Sequence, residues 1–213
     1  MATAQEQAQS DERAFNFETK VRLHAILPIG IGDHYLADAN DSKLSAGFNM
    51  SFFEYHHFRL LFGVDHIFYE PTDMNFTADI NRSRYTSFNV NVSYEIPVVE
   101  NFSVQPYIGF GSSELYFRRT SSTVNASDVS IRKQRGKEFR VGIYLDYKLN
   151  DIVTVFTGGN YVGSKMKINT ASELESYFGK AETAQVYLGL KLGYSMKDKR
   201  KAKAAKQVRQ DAN

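Results

Sequence analysis

At 213 residues the chain is long enough for one sizeable domain, and a mean hydropathy of −0.41 excludes a bundle of membrane helices. No run approaches the roughly 18 consecutive apolar residues that a spanning helix needs. With no cysteine, the chain has no disulfide, thiolate metal site, Cys nucleophile or lipidated Cys, and its net charge of +2 is unevenly distributed.

Sixteen Phe and 13 Tyr against 4 Pro, with many Asn and Ser, favour strands separated by turns. Residues 1–13 read as a flexible N-terminal segment without a basic or apolar leader. Its "ATA" before Gln5 suits the end of a signal-peptidase site, and an arbitrary N-terminus fits equally. From there eight segments alternate with period two, the sign of strands with one oily and one wet face. They are 15–27, 44–52, 58–70, 84–96, 102–117, 137–149, 152–166 and 183–195, with short and long links alternating between them. In "FNVNVSYEI" (88–96), Phe88, Val90, Val92, Tyr94 and Ile96 share one face, and Asn89, Asn91, Ser93 and Glu95 the other. Such a pattern suits a soluble up-and-down barrel or a membrane barrel equally well.

Two placements favour the membrane. Gly47, Gly63, Gly109, Gly111, Gly142, Gly158, Gly189 and Gly193 lie on the polar face, and Gly159 on the apolar one. A narrow barrel needs small residues on its crowded interior, whereas glycine on a solvated face only weakens a strand. In addition, Phe17, Phe52, Phe58, Tyr94, Phe102, Tyr147 and Tyr194 fall at the short-turn end of the apolar face. That is an aromatic girdle of the kind a lipid headgroup region selects. A soluble lipocalin-like binder would require both placements to be coincidences.

The segments "FNVNVSYEI", "FRVGIYLDYKL" and "AQVYLGLKLGYS" carry a resemblance to the small eight-stranded outer-membrane barrels of the OmpA and OmpX type, over residues 14–196. The resemblance implies an all-β, antiparallel, up-and-down transmembrane barrel with short periplasmic turns and long extracellular loops. It also implies the outer membrane of a Gram-negative bacterium, with both termini periplasmic. A departure is that Tyr194 is followed by a tail rather than ending the chain.

On the polar face the expected lumen network comprises Glu18, Lys20, Arg22, Arg59, Asp65, Glu95, Glu138, Arg140, Asp146, Lys148 and Lys191. Six cations and five anions in a narrow interior should pair with one another and plug it. Such a lumen offers no apolar slot for an acyl chain, the histidines (His24, His34, His56, His57 and His66) are scattered, and "DHI" at 65–67 carries no nucleophile beside it. No catalytic residue, metal site or cofactor is therefore expected. Asp33, His34, Asp38 and Asp41 match no calcium-loop spacing and read as a solvated acidic loop.

In the third long loop, Arg118, Arg119, Arg132, Lys133 and Arg135 would stand near lipopolysaccharide phosphates, which guanidinium groups recognise well. The tail 197–213 carries about +5, leaving −3 elsewhere. It suits anionic inner-leaflet headgroups, cell-wall carboxylates or an acidic periplasmic partner, and a periplasmic address argues against nucleic acid. The expectation is a non-enzymatic outer-membrane barrel acting as structural anchor or interaction protein. The alternative is a narrow channel for small solutes.

Overall fold

The computed structural model describes residues 15–16, 18–72, 80–119, 131–168 and 172–195. At residues 15, 16, 81, 119, 131, 132, 194 and 195 it describes the backbone alone. Eight long strands dominate: β1 Glu18–Gly30, β2 Asn40–Tyr55, β3 Phe58–Pro71 and β4 Ile80–Tyr94 form the first half. The second half is β5 Phe102–Arg119, β6 Ile131–Lys148, β7 Val153–Lys167 and β8 Lys180–Ser195. Each pairs antiparallel with its sequence neighbour, and β8 returns to β1 through a register running from Thr183↔Gly30 to Ser195↔Glu18. The sheet is closed, so no long edge is left unpaired. Two short strands extend it at the end where the chain enters and leaves: Phe15–Asn16 pairs with Tyr55 and Glu54, and Ile96–Val99 pairs with the start of β5. That end is called terminal below, and the opposite end distal.

Alternation sorts the side chains. Leu23, Phe62, Phe88, Val90, Val92, Ile108, Phe110, Val141, Ile143, Leu188 and Leu190 point outward and are exposed, Phe110 to 65% and Leu188 to 64%. In water such a continuous apolar belt would be an aggregation surface, whereas in lipid it is the expected outer face of a spanning barrel. Gly47, Gly63, Gly109, Gly142, Gly158 and Gly189 all point inward. A Cβ at Gly158 would run into the Ile143 carbonyl oxygen, and one at Gly109 into the Asn91 side chain. Gly163 joins Gly159 on the outward parity, one more outward glycine than the alternation of the sequence suggests.

Expecting a wholly polar lumen requires correction. At the distal end the inward face turns apolar: Ile67, Tyr69, Tyr85, Leu115, Phe117 and Met166 form a buried cluster. The outward face there turns charged, with Arg82, Arg84, Arg118, Lys133 and Arg135 exposed. The cause is strand length. A spanning strand needs only about 9–11 residues, whereas β5 and β6 have 18 each. The surplus stands beyond the hydrocarbon, where water restores the ordinary oil-in, charge-out arrangement. The strands accordingly reach further than the alternation predicts, β4 starting at Ile80 rather than 84 and β6 at Ile131 rather than 137.

The first long connection is likewise not simply a solvated loop. It contains a short helix, α1 Tyr35–Asp38, whose Tyr35 and Leu36, with Ala39, are buried in the distal cluster. His34 caps it, its Nδ1 accepting from the Ala37 amide at 3.3 Å while its Nε2–H donates to the Glu182 carbonyl oxygen at 2.9 Å. Asp33, Asp38 and Asp41 stay exposed. A second small helix, α2 Glu175–Gly179, follows a 3₁₀ turn at Ser172–Leu174 and lays Tyr177 and Phe178 against the same cluster.

Two local irregularities bear on the site. His56 and His57 form a two-residue turn with φ of 46° and 70°, the left-handed conformation that tight hairpins demand. Between Ser51 and Glu54, β2 carries one residue more than its partner: Ser51 faces Leu61 and Glu54 faces Arg59. This bulge reverses the parity and turns Glu54 inward.

The outward belt sets a test. Detergent-extracted protein, unboiled and boiled, should migrate differently on a denaturing gel, because the closed barrel resists unfolding by the detergent. Phe110→Lys, at the most exposed large apolar residue of the mid-strand belt, should destabilise the folded form in lipid by about 2–4 kcal/mol. Unchanged migration, together with solubility in the absence of detergent, would refute the lipid-facing assignment.

Candidate functional site

The interior is filled in layers. Nearest the terminal end, Arg59 sits between Glu54 and Glu95 and bonds to both carboxylates. Beside it Lys20 pairs with Glu18 at 2.8 Å and reaches Glu54 at 3.9 Å. One step deeper, Asp146 accepts from Arg22 at 2.8 Å and from Lys191, and Arg22 also donates to Gln105. The Arg22 guanidinium lies 4.3 Å from the centre of the Tyr144 ring, so its flat face is covered by an aromatic surface. Strands β1, β2 and β3, with Glu95 just past the end of β4, thus supply one group of pairs, and β1, β6 and β8 the next.

An aromatic layer follows. Tyr107 stacks on Tyr144 with ring centres 4.6 Å apart, and Phe156 and Tyr187 pack against Tyr144 at 5.6 and 5.9 Å. Gly142, on the same strand as Tyr144, leaves space for the stack: a Cβ there would meet Tyr107.

Beyond the rings lies the most deeply buried charge cluster. Arg140 donates to Asp65 at 2.7 Å, to Glu138 at 2.6 Å and to the Ser87 hydroxyl at 2.6 Å. Glu138 also accepts from Tyr85 at 2.8 Å and from Ser87, while His24 lies 3.2 Å from Asp65. Arg140, Asp65 and Glu138 are 2%, 1% and 4% exposed. One guanidinium shared between two carboxylates, with hydroxyls and an amide completing the donors, is the arrangement that makes buried charge tolerable. The apolar cluster under α1 closes the distal end.

Ten of the eleven expected lumen residues therefore make ion pairs inside the barrel. Lys148 does not. It stands at the terminal mouth, about half exposed, paired with Asp151 at 2.8 Å, because β6 ends there and the turn to β7 turns its ammonium toward solvent. This pairing, by hydrogen bond and charge, holds the Asp151 carboxyl below its ordinary value. Glu54 belongs to the network and was hidden from the alternation by the bulge. The aromatic layer was missed too, because Tyr and Phe on an otherwise polar face break no period.

Of the expected girdle, Phe52, Phe58, Tyr94 and Tyr147 are exposed, while Phe102 is partly buried. Phe58 and Tyr94 meet at 4.8 Å. Phe17 and the Tyr194 side chain lie outside the described residues. Among the loop cations, Lys133 and Arg135 share Glu114, the latter at 3.2 Å, and Arg118 is exposed. The side chains of Arg119 and Arg132 are outside the description, as are the N-terminal segment 1–13 and the basic tail 197–213. Among the described residues no cluster of His, Asp and Glu is arranged to hold a metal ion.

No protein-family model matches the chain, and no curated protein matches it in sequence. Solved structures resemble it in shape. A major outer membrane protein from Thermus thermophilus superposes with a TM-score of 0.55 at 10% identity, over 83% of this chain and 99% of that one. The outer membrane protein AlkL in lipid bilayers gives 0.48 at 12%, over 85% and 92%. The attachment invasion locus protein Ail of Yersinia pestis gives 0.46 at 11%, over 84% and 99%. At these identities only the fold is shared, and of these three the Thermus protein aligns well enough to bear on it. Closure of eight antiparallel strands, the apolar belt and a filled polar lumen agree with that likeness: the chain has the fold of the small eight-stranded outer-membrane β-barrels, the OmpA and OmpX type.

Proposed function

We propose that this protein is a non-enzymatic anchor of a Gram-negative outer membrane. Its barrel is sealed, its contacts lie on the rims, and its terminal end faces the periplasm. A single observation carries the reading: all eight strands send side chains less than a tenth exposed into the lumen, from Arg22 on β1 to Tyr187 and Lys191 on β8. Three successive barriers (the Arg22–Asp146–Lys191 group, the Tyr107–Tyr144 stack and the Arg140 cluster) lie between the mouths. At the terminal mouth a basin of about 240 Å³, lined by Glu18, Lys20, Glu95, Asp146 and Lys191, ends against them.

A sealed lumen is suited to fixing strand register, since a one-residue slip would take every buried charge from its partner. The rims then do the work of interaction. Among the described residues, nothing in the lumen places a nucleophile, base and open substrate volume together.

Reconstituted into planar bilayers, the wild-type protein should give no discrete conductance steps. The competing reading, a narrow solute channel, requires steps whose size shifts when Arg140 or Glu138 is replaced. Arg140→Met should lower the unfolding free energy by about 3–5 kcal/mol, because Glu138 and Asp65 would keep their burial and lose their shared cation. Denaturant titration of the protein in detergent, followed by loss of heat-modifiable migration, measures that loss.

A further inference from the structure

The ion-pair network takes up the interior charges and leaves one group of outward charges unexplained. Near the distal end of β4 and β5, Arg82 and Arg118 face each other directly across the strand pair, and Arg84 faces Tyr116 one step nearer the belt. Like charges directly opposite in an antiparallel pair destabilise the sheet, so the repulsion calls for an anion between them. None of these three guanidinium groups forms an ion pair with a carboxylate among the described residues. Glu70, whose charge Arg82 feels, is bonded to Lys43 at 2.9 Å, and Lys133 and Arg135 share Glu114.

The surroundings narrow the choice of anion. A cleft of about 520 Å³ opens here, lined by Phe68, Tyr116, Arg82, Arg84 and Arg118 and also by the Lys43–Glu70 pair, whose charges cancel. Its floor is aromatic: Phe68 is 44% exposed, and the Arg84 guanidinium lies 5.0 Å from the Tyr116 ring centre. Exposed Phe88, Val90, Ile108 and Phe110 continue from the cleft along the same two strands. Arg84 stands four residues from Phe88, roughly 13 Å along the strand, which puts the cations at headgroup height above the hydrocarbon belt.

We propose that this cleft is a binding site for a phosphorylated, multiply acylated glycolipid of the outer leaflet. A phosphate monoester sits between Arg82, Arg84 and Arg118, the sugar lies on Phe68 and Tyr116, and the acyl chains follow the belt. A monoester carries between one and two negative charges and several strong acceptors, which matches three guanidinium groups lining one cleft better than the single charge of a phosphodiester does. The assignment rests on the reading that the distal end meets the outer leaflet, and it extends the expected lipopolysaccharide contact to Arg82 and Arg84.

Full-length protein in detergent, mixed with purified bisphosphorylated lipid A or with phosphatidylglycerol at equal negative charge, provides the test. Bound lipid is counted by native mass spectrometry, and stability is read as the temperature at which heat-modifiable migration is lost. Lipid A should bind the wild type more tightly than phosphatidylglycerol does and raise that temperature. Arg82→Gln/Arg118→Gln should weaken lipid A on the order of tenfold or more and, without lipid, melt no lower than the wild type, because a repulsion has been removed. Lys148→Gln, which alters a paired cation at the opposite mouth, should leave lipid A affinity within about twofold. Equal binding of both lipids by the wild type, or undiminished lipid A binding by the double variant, would overturn the site while the barrel remained heat-modifiable. A wild type lacking heat modifiability would overturn the membrane reading itself, and the site with it.

Discussion

The interior of an eight-stranded barrel is too narrow to hold water in bulk, so every charge that enters it must find its counter-charge there. Arg140 shows how strict this condition is. Its guanidinium reaches from β6 to Asp65 on β3 while also bonding Glu138 beside it and the Ser87 hydroxyl, and Tyr85 and His24 contact the two carboxylates in turn. The inward glycines follow from the same crowding. A side chain at Gly109 would displace Asn91, and one at Gly111 would press on Glu138. Removing one member of such a set leaves a buried charge without compensation, which costs far more than the pair contributes when intact. The lumen thus acts as a single cooperative unit rather than as a collection of salt bridges.

The molecule folds against two solvents in succession along each strand. In the belt, oil faces outward and charge inward; past the belt the arrangement reverses, and Tyr35, Ile67, Leu115 and Phe117 form an ordinary hydrophobic core. The transition can be followed on β5, where outward Ile108 and Phe110 give way to Ser112, Glu114, Tyr116 and Arg118. Along the inward side of the same strand, Gln105 gives way to Ser113, Leu115 and Phe117. Where α1 lies against this core, the distal mouth is closed by apolar packing, whereas the terminal mouth is closed by ion pairs.

Much of this was legible from alternation, because a barrel strand has only two environments and period two separates them. The faces of "FNVNVSYEI", the inward glycines and the ten paired lumen charges all follow from parity and the narrowness of eight strands. Where parity breaks, the reading broke with it. Glu54 lies beyond a bulge that no residue in "MSFFEY" announces. The helix at Tyr35–Asp38 has only four residues, too few to show a helical period. The distal core was obscured for another reason: the alternation continues through the change of solvent, so Leu115 and Phe117 sit on the lumen parity while belonging to a water-facing part of the protein. Lys148 has lumen parity as well, and only the end of its strand places it outside.

The strict period of two also governs how such a chain can reach its membrane. Each lipid-facing residue is followed by one chosen for the lumen, so Phe88, Val90 and Val92 are interleaved with Asn89, Asn91 and Ser93. Among the described residues no helix is long and apolar enough to cross a bilayer. Insertion machinery that retains segments by their continuous hydrophobicity finds nothing to hold in such a strand. The belt comes into being only when the sheet closes, which lets an exported chain pass through one membrane as a polar polymer and become lipophilic in the next.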